Sequence, residues 1–349
     1  MIEWKSRAVP QVEPPYEMPS LIWQTLSARG LHTSQQLEQF FSPKLKDLRD
    51  PLTLLGMDKA VKRLVKAFAQ AEPICIYADF DLDGTSGLAL LRDGFERLGF
   101  KHVQGYQPKR LSEGYGVHVS AIEEIAETCK IVITVDVGTT ALAAAERAYE
   151  LGVELIITDH HLPGETLPKA FTLVNPNQKD CKSGLGHLSG AGVAFFLFLA
   201  VRRALREQGL GEEVDPKELL DCFVIGTLTD LVPVIAENRV LIKHGLMQLA
   251  KTKRPGLAHL LDELGLRGRP LNSQDVAIRF APKINALSRM EKTIRPIDLF
   301  LVSDEQLAGQ YVREVIACNS ERISLQSEAE SKASQLHLES SNENFVWVY

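Results

Sequence analysis

The sequence predicts an α/β fold: a mostly parallel sheet with helices on both faces, followed by a helical extension and a long C-terminal linker helix. Three observations carry that reading. From Asp50 onward short apolar runs alternate with segments of helical period, a pattern that calls for parallel strands joined by crossover helices. Several runs end on aspartate, and beyond Gly190 the strand signals give way to helices alone.

In chain order, residues 1–50 read as a separate leader with a packing or docking role. Pro10, Pro14, Pro15 and Pro19 punctuate it, and Leu21–Leu26 and Ser34–Phe41 have the spacing of short amphipathic helices. The main domain is expected over 51–303, with an α/β part at 51–190 and a mainly helical part at 191–303. In the first part, helices are expected over Met57–Gln70, Ser86–Leu98, Val119–Thr128 and the alanine-rich Ala141–Leu151. Strands are expected over Ile74–Tyr77, His102–Tyr106, Ile131–Val135, Glu154–Ile157 and Phe171–Val174, runs too short for buried helices.

In the second part the helical candidates are Ala191–Glu207, Lys217–Leu228, Arg239–Lys251 and Gly256–Leu264. From Asp304 to about Leu338 the chain reads as one long polar helix with few apolar anchors, a linker. Ser340 to Asn344 is a turn signal, and Phe345 to Tyr349 reads as a strand that would begin a further domain.

The 349 residues, 45% of them hydrophobic, can bury the core of one large α/β domain with appendages, or of two domains. The longest apolar runs, such as Ala191 to Val201, fall short of the ~20 residues that span a bilayer, and the N-terminus lacks the order of a signal peptide. A soluble, cytoplasmic protein is expected. Five cysteines without a CxxC pair predict reduced, buried thiols rather than a zinc knuckle or disulfide framework. A net charge of -6 excludes grip on nucleic acid by global positive charge. A local groove stays open, because carboxylates that hold cations count as negative in that total.

Asp159-His160-His161, reached from the apolar run Leu155-Ile156-Ile157, suits a divalent metal better than a solvated turn. Asp79-Phe80-Asp81-Leu82-Asp83-Gly84 sets three carboxylates at alternate positions after a strand, with the glycine permitting a tight turn into the next helix. A calcium loop is the competing reading; it lacks the expected glutamate, and a buried-type strand precedes it. Asp136 ends an apolar strand, where an isolated carboxylate is strongly penalised and a metal would resolve the cost. Alternatively it is an ordinary strand-end acid, and Thr139-Thr140 can cap the helix that follows. Asp230 stands where a helix stops before Pro233, at the negative end of its dipole, so it invites a cation. Together the four segments suggest one two-metal centre.

The loop glycines Gly184, Gly186, Gly190 and Gly192 precede a helix whose free N–H groups could hold a phosphate, or they make a flexible loop. Pro282 to Arg289 has no helical or strand period and places Lys283, Asn285 and Arg289 in an expected loop, where the two cations suit a phosphodiester or simply face solvent. Arg110, after Pro108-Lys109 and before Gly114-Tyr115-Gly116, and the group His244, Lys251, Lys253 and Arg254 are further candidates for backbone contacts.

These residues resemble the DHH phosphoesterases, and among them the RecJ family of bacterial single-strand-specific exonucleases. The likeness runs over about residues 35–330, through Phe41-Ser42-Pro43, Asp50-Pro51, Met57-Asp58-Lys59-Ala60, Asp79 to Gly84, Glu113-Gly114-Tyr115-Gly116, Thr158 to His161, Asn175-Pro176, Gly190 to Ala194, Glu237-Asn238-Arg239 and Asn285-Ala286. It implies two manganese or magnesium ions bridged by Asp136, one held by Asp81 with Asp79 nearby, the other by Asp83, His160 and Asp230. It implies further that His161 faces the scissile phosphate and that Asp159 orients rather than ligates. Ala78, Lys283 and Ser288 stand where the family usually has glycine, arginine and glycine.

The implied activity is 5′-to-3′ hydrolysis of single-stranded DNA to 5′-mononucleotides in repair and recombination, by a cytoplasmic monomer. Single-strand-binding protein or a helicase would be its protein partners. A nano-RNase or cyclic-dinucleotide phosphodiesterase is the enzymatic alternative, weakened by the leader and the RecJ-like segments outside the metal motifs. A non-catalytic replication scaffold is the alternative of another class, and retention of every candidate ligand argues against it.

Overall fold

A computed structural model describes residues 12–290 and 292–339 of the chain. Pro10, the turn signal at 340–344 and the strand expected over 345–349 lie outside the described residues.

Five strands form one wholly parallel sheet: β1 (Ile74–Ala78), β2 (Val103–Tyr106), β3 (Ile131–Val135), β4 (Glu154–Thr158) and β5 (Thr172–Val174), in the order β2-β1-β3-β4-β5. β1 and β3 are buried along their whole length, which explains why they read as unbroken apolar runs rather than alternating ones. Side chains still alternate between the two faces. Ile74, Ile76, Ile131, Ile133 and Ile156 enter the larger core, whereas Cys75, Tyr77, Val132, Leu155 and Ile157 enter a smaller one.

The smaller core is covered by α5 (Val119–Ala126) and α6 (Leu142–Glu150). The larger is covered by α3 (Met57–Gln70), α4 (Leu82–Leu98) and α7 (Gly190–Glu207), with α8 (Leu220–Thr229) packed on α4. α9 (Ala236–Leu249), α10 (Pro255–Glu263), α11 (Ala281–Arg289) and α12 (Pro296–Leu301) extend the helical part. α13 (Glu305–Glu339) is the long polar helix; its first half packs on α10 and α11.

Three departures from the expected elements have physical causes. α4 starts at Leu82, four residues before the expected Ser86, because Asp81 is its N-cap: Oδ1 accepts the Asp83 and Gly84 N–H groups at 2.9 and 3.0 Å. Gly84 therefore lies within the helix rather than in a turn. Residues 281–289 form a helix, not a loop. Pro282 is tolerated in its first turn, and Ala281, Ile284 and Leu287 make a buried stripe at i, i+3 spacing. Arg254, expected on a solvated basic face, is largely buried instead. It pairs with Asp93 at 2.6 Å and Asp221 at 3.2 Å, tying α10 to α4 and α8.

In the leader, α1 (Ser20–Ser27) and α2 (Ser34–Phe41) bury Trp23, Leu26 and Leu37 against one another. A capping box between Thr33 and Gln36 starts α2. Arg239 of α9 docks the leader on the main body: its Nε donates to the Phe40 carbonyl at 2.6 Å, and its guanidinium lies 3.6 Å from the Phe40 ring centroid.

Candidate metal centre

One row of the sheet positions the site. Ala78, Val135, Thr158 and Val174 are register partners across β1, β3, β4 and β5, so Asp79, Asp136, Asp159 and Asn175 leave four strands side by side. Their backbones continue the ladder: Asp79 N–H donates to Val135 O, Asp136 N–H to Thr158 O and Asp159 N–H to Val174 O. β1 connects outward to β2 while β3 leads toward β4 and β5. The carboxyl ends of β1 and β3 are therefore the topological switch point where such sheets bind ligands.

The donor atoms converge there. Asp79, Asp81 and Asp136 offer one set within 4.8 Å, Asp83, His160 and Asp230 a second, and Asp136, His160 and His161 a third. Asp79 Oδ1, Asp136 Oδ1, His160 Nε2 and Asp230 Oδ2 are buried without a hydrogen-bond partner. His160 Nε2 lies 3.1 Å from Asp136 Oδ1 and 3.6 Å from Asp230 Oδ2 without hydrogen-bond alignment. Two ligands of one cation, at bonds of about 2.1 Å and near a right angle, stand about 3 Å apart, so these atoms suit a shared ion. Orphaned buried acceptors are costly unless a cation takes them, and the residues present fit a pair of divalent ions.

Backbone strain and close approach hold the set in place. Asp136 has φ +61°, the left-handed region that costs a non-glycine residue and collects at functional sites. Asp83 is fully buried, and its carboxylate accepts from the Gly190 and Ala191 N–H groups at 2.5 and 3.1 Å, at the positive end of α7. Ser189 caps that helix, and its Oγ also meets Thr227 Oγ1 at 3.0 Å. The phosphate role expected of Gly190 and Gly192 is thereby corrected. The Gly190 N–H is spent on Asp83 and the Gly192 N–H on Ser189 Oγ, and both residues are buried.

Burial sets the electrostatics. It pushes the Asp79 carboxyl up to about 7, with help from Asp81, and Asp230 up to about 6. Burial and then the neighbouring aspartates raise Asp83 and Asp136 far above the ordinary range as well. The adjacent histidines are driven apart. Burial, then the charge of His161, lowers His160, keeping it the neutral imidazole a metal needs. His161 is raised, first by its hydrogen bond to Asp159, with Nδ1 2.7 Å from Asp159 Oδ1.

Asp159 works as an anchor. Burial opposes its charge, but the His161 hydrogen bond, its charge and backbone N–H groups hold it below the usual carboxylate range. Its two oxygens accept from the N–H groups of His160, His161 and Thr139. Three residues without an assigned role in the sequence complete the support. Asn175 Nδ2 donates to the His161 carbonyl and to Thr139 Oγ1, so Thr139 does not cap α6, and Asn177 Nδ2 donates to the His160 carbonyl. Gln107 Nε2 likewise holds the Asp79 carbonyl at 2.6 Å. An amide that reaches backbone from a loop leaves no periodic signal in a sequence; only Asn175-Pro176 hinted at it.

The raised carboxyls keep protons in the fold at pH values where the unfolded chain has released them, so the metal-free protein loses stability as pH rises from about 4 through about 7. A divalent cation displaces those protons. The gain in Tm on adding manganese is therefore expected to grow from about pH 6 to about pH 8. Scanning fluorimetry that finds a gain independent of pH would contradict this electrostatic account.

Beside Phe80, between Asp79 and Asp81, a cleft of about 350 Å³ is lined by the cations Lys109, Arg110, Lys292 and Arg295, with Leu287 and Ser288 of α11. The Arg110 guanidinium lies 4.8 Å from the Phe80 ring centroid. Lys283, Asn285 and Arg289 lie on the same α11 but outside this lining, with Lys283 and Asn285 half-buried and Arg289 exposed.

Known proteins similar to this chain point to one family. The DHH family, N-terminal domain, matches residues 73–227. Single-stranded-DNA-specific exonuclease RecJ of Dickeya dadantii is 34% identical over 341 residues, 96% of this chain and 58% of that protein. The chain thus spans little more than half the length of this relative. A crystal structure of exonuclease RecJ bound to manganese superposes with a TM-score of 0.73 at 35% identity, over 82% of this chain and 71% of that one. A structure of RecJ from Thermus thermophilus in complex with Mn2+ gives 0.73 at 31% identity, over 88% of this chain and 43% of that one. At 35% identity across more than two thirds of a solved exonuclease RecJ, and with the DHH domain matched, the chain belongs to the RecJ family of DHH proteins.

Proposed function

We propose that this chain is the DHH part of a two-metal phosphodiesterase, a 5′-to-3′ exonuclease that releases 5′-mononucleotides from single-stranded DNA in repair and recombination. One observation carries the reading: two donor sets, each with orphaned buried atoms, meet at Asp136 and His160 on the switch point of the sheet. We assign the catalytic unit to 51–303, with the leader as a docked brace and α13 as a linker. Among the described residues no helix is long and apolar enough to cross a membrane. A cytoplasmic monomer acting on strands opened by a helicase or coated by single-strand-binding protein fits that reading.

Bound manganese or magnesium would supply Lewis acidity at the phosphate and a water of lowered pKa. Asp79, Asp81, Asp83, Asp136, His160 and Asp230 would hold the ions. His161, whose pKa Asp159 raises through the hydrogen bond at Nδ1, would use Nε2 as a donor to a phosphate oxygen, and Asp159 fixes the ring for that task. Arg110, on the wall of the basic cleft, orients the phosphodiester, with Lys283, Asn285 and Arg289 contributing from α11.

The test is digestion of 5′-phosphorylated single-stranded DNA, labelled at one end, in manganese. Release of mononucleotides from the 5′ end is expected. Release from the 3′ end, or none in any divalent ion, would overturn the reading. Arg110→Ala is expected to raise KM about tenfold to a hundredfold, the loss of a hydrogen bond to a charged group, with kcat changed less. A fall confined to kcat would remove Arg110 from substrate positioning.

A further inference from the structure

We propose that Leu231, with Leu162 across from it and Tyr115 beside His161, clamps the base of the nucleotide whose phosphodiester is held at the metal centre; this rests on the nucleolytic reading above. Leu231 follows Asp230 directly, sits at φ +60° and is 83% exposed. A left-handed leucine is strained, and an exposed one orders water as well. Neither cost is offset by packing within the described residues, and an outlier of this kind points to use.

Leu162 follows His161 directly and is 80% exposed. His160 Nε2 and Asp230 Oδ2 lie 3.6 Å apart, so the two turns face each other across the centre. Each leucine thus starts within one or two Cα steps, of about 3.8 Å each, from a donor residue. The Tyr115 ring, also exposed, lies 6.0 Å from that of His161 at 69°. Val234 and Ile235, both exposed, continue the apolar edge beyond Leu231. The cationic cleft opens separately, beside Phe80.

Apolar and aromatic side chains without a pattern of donors suit the face of a nucleobase of any identity, and an apolar wedge keeps such a base unstacked from its neighbour. The clamp would therefore favour a strand end that carries a free base, whatever its sequence, over one that carries a bare sugar-phosphate.

Fluorescence anisotropy of the full 349-residue chain, with calcium in place of manganese, would compare 5′-phosphorylated oligothymidylates with thymine or an abasic residue at the first position. The wild-type chain is expected to bind the thymine end at least about tenfold more tightly. Leu231→Gly removes the side chain and suits φ +60°, so the ratio should fall toward one while Tm does not drop; Leu231→Met should keep the ratio. Equal wild-type affinities for the two ends, or no measurable affinity for either, would overturn the clamp. End-selective binding without any manganese-dependent cleavage would instead count against the nucleolytic reading alone.

Discussion

Asp136→Asn is expected to lower manganese-dependent hydrolysis by more than about a hundredfold, because loss of a partner that merely supports a metal ligand already costs 10–100-fold. Asp136 stands in two of the three donor sets, so on the proposed reading both ions would depend on its charge. Asparagine is the informative replacement. It tolerates φ +61° as well as aspartate does, keeps the shape, and takes one buried carboxyl out of a crowd of four others. Without metal the variant should melt at or above the wild-type temperature, and the gain in Tm on adding manganese should largely vanish. Hydrolysis at the wild-type rate by this variant would remove Asp136 from the centre. A collapsed metal-free fold would instead show that Asp136 is needed for structure.

The strand ends were legible in the sequence because physics marks them twice. A run buried on both faces must be apolar, and an acid that closes such a run is too costly to be incidental; β1 with Asp79, β3 with Asp136 and β4 with Asp159 all follow that rule. The order of the strands was not legible. It arises from crossovers, and it alone makes the ends of β1 and β3 neighbours of the same cleft. Helix boundaries near the site were obscured by the chemistry itself. Asp81 and Asp83 read as residues of a strand end, yet one caps α4 and the other lies in its first turn, facing α7. α11 escaped recognition because its buried stripe of Ala281, Ile284 and Leu287 is narrow and its first turn holds a proline.

Gly190→Ala shows what the sequence reading of the glycine loop left out. The sequence allows either a free N–H that holds a phosphate or a flexible loop, and if the phosphate reading held, alanine at Gly190 would be expected to raise KM. In the structure, a Cβ on Gly190 would stand 2.3 Å from Asp136 Cβ and 2.6 Å from its carboxyl carbon, distances at which something must move. The neighbours cannot yield cheaply: Asp136 is held in a strained backbone, and the Gly190 N–H is bonded to Asp83. Alanine would otherwise favour the helix by up to about 1 kcal/mol, so a loss of stability here would come from the clash alone. Displacing Asp136 or Asp83 by about 1 Å is expected to cost about a hundredfold in kcat, with weaker manganese binding and a lower Tm. Gly192→Ala is the control, since its Cβ would come no nearer than 3.2 Å to Leu188 and 3.6 Å to Phe223, contacts that a shift of a few tenths of an ångström relieves. If Gly190→Ala bound manganese normally and raised only KM, the loop would be a phosphate site after all, and close packing of Gly190 on Asp136 would not be what requires glycine there.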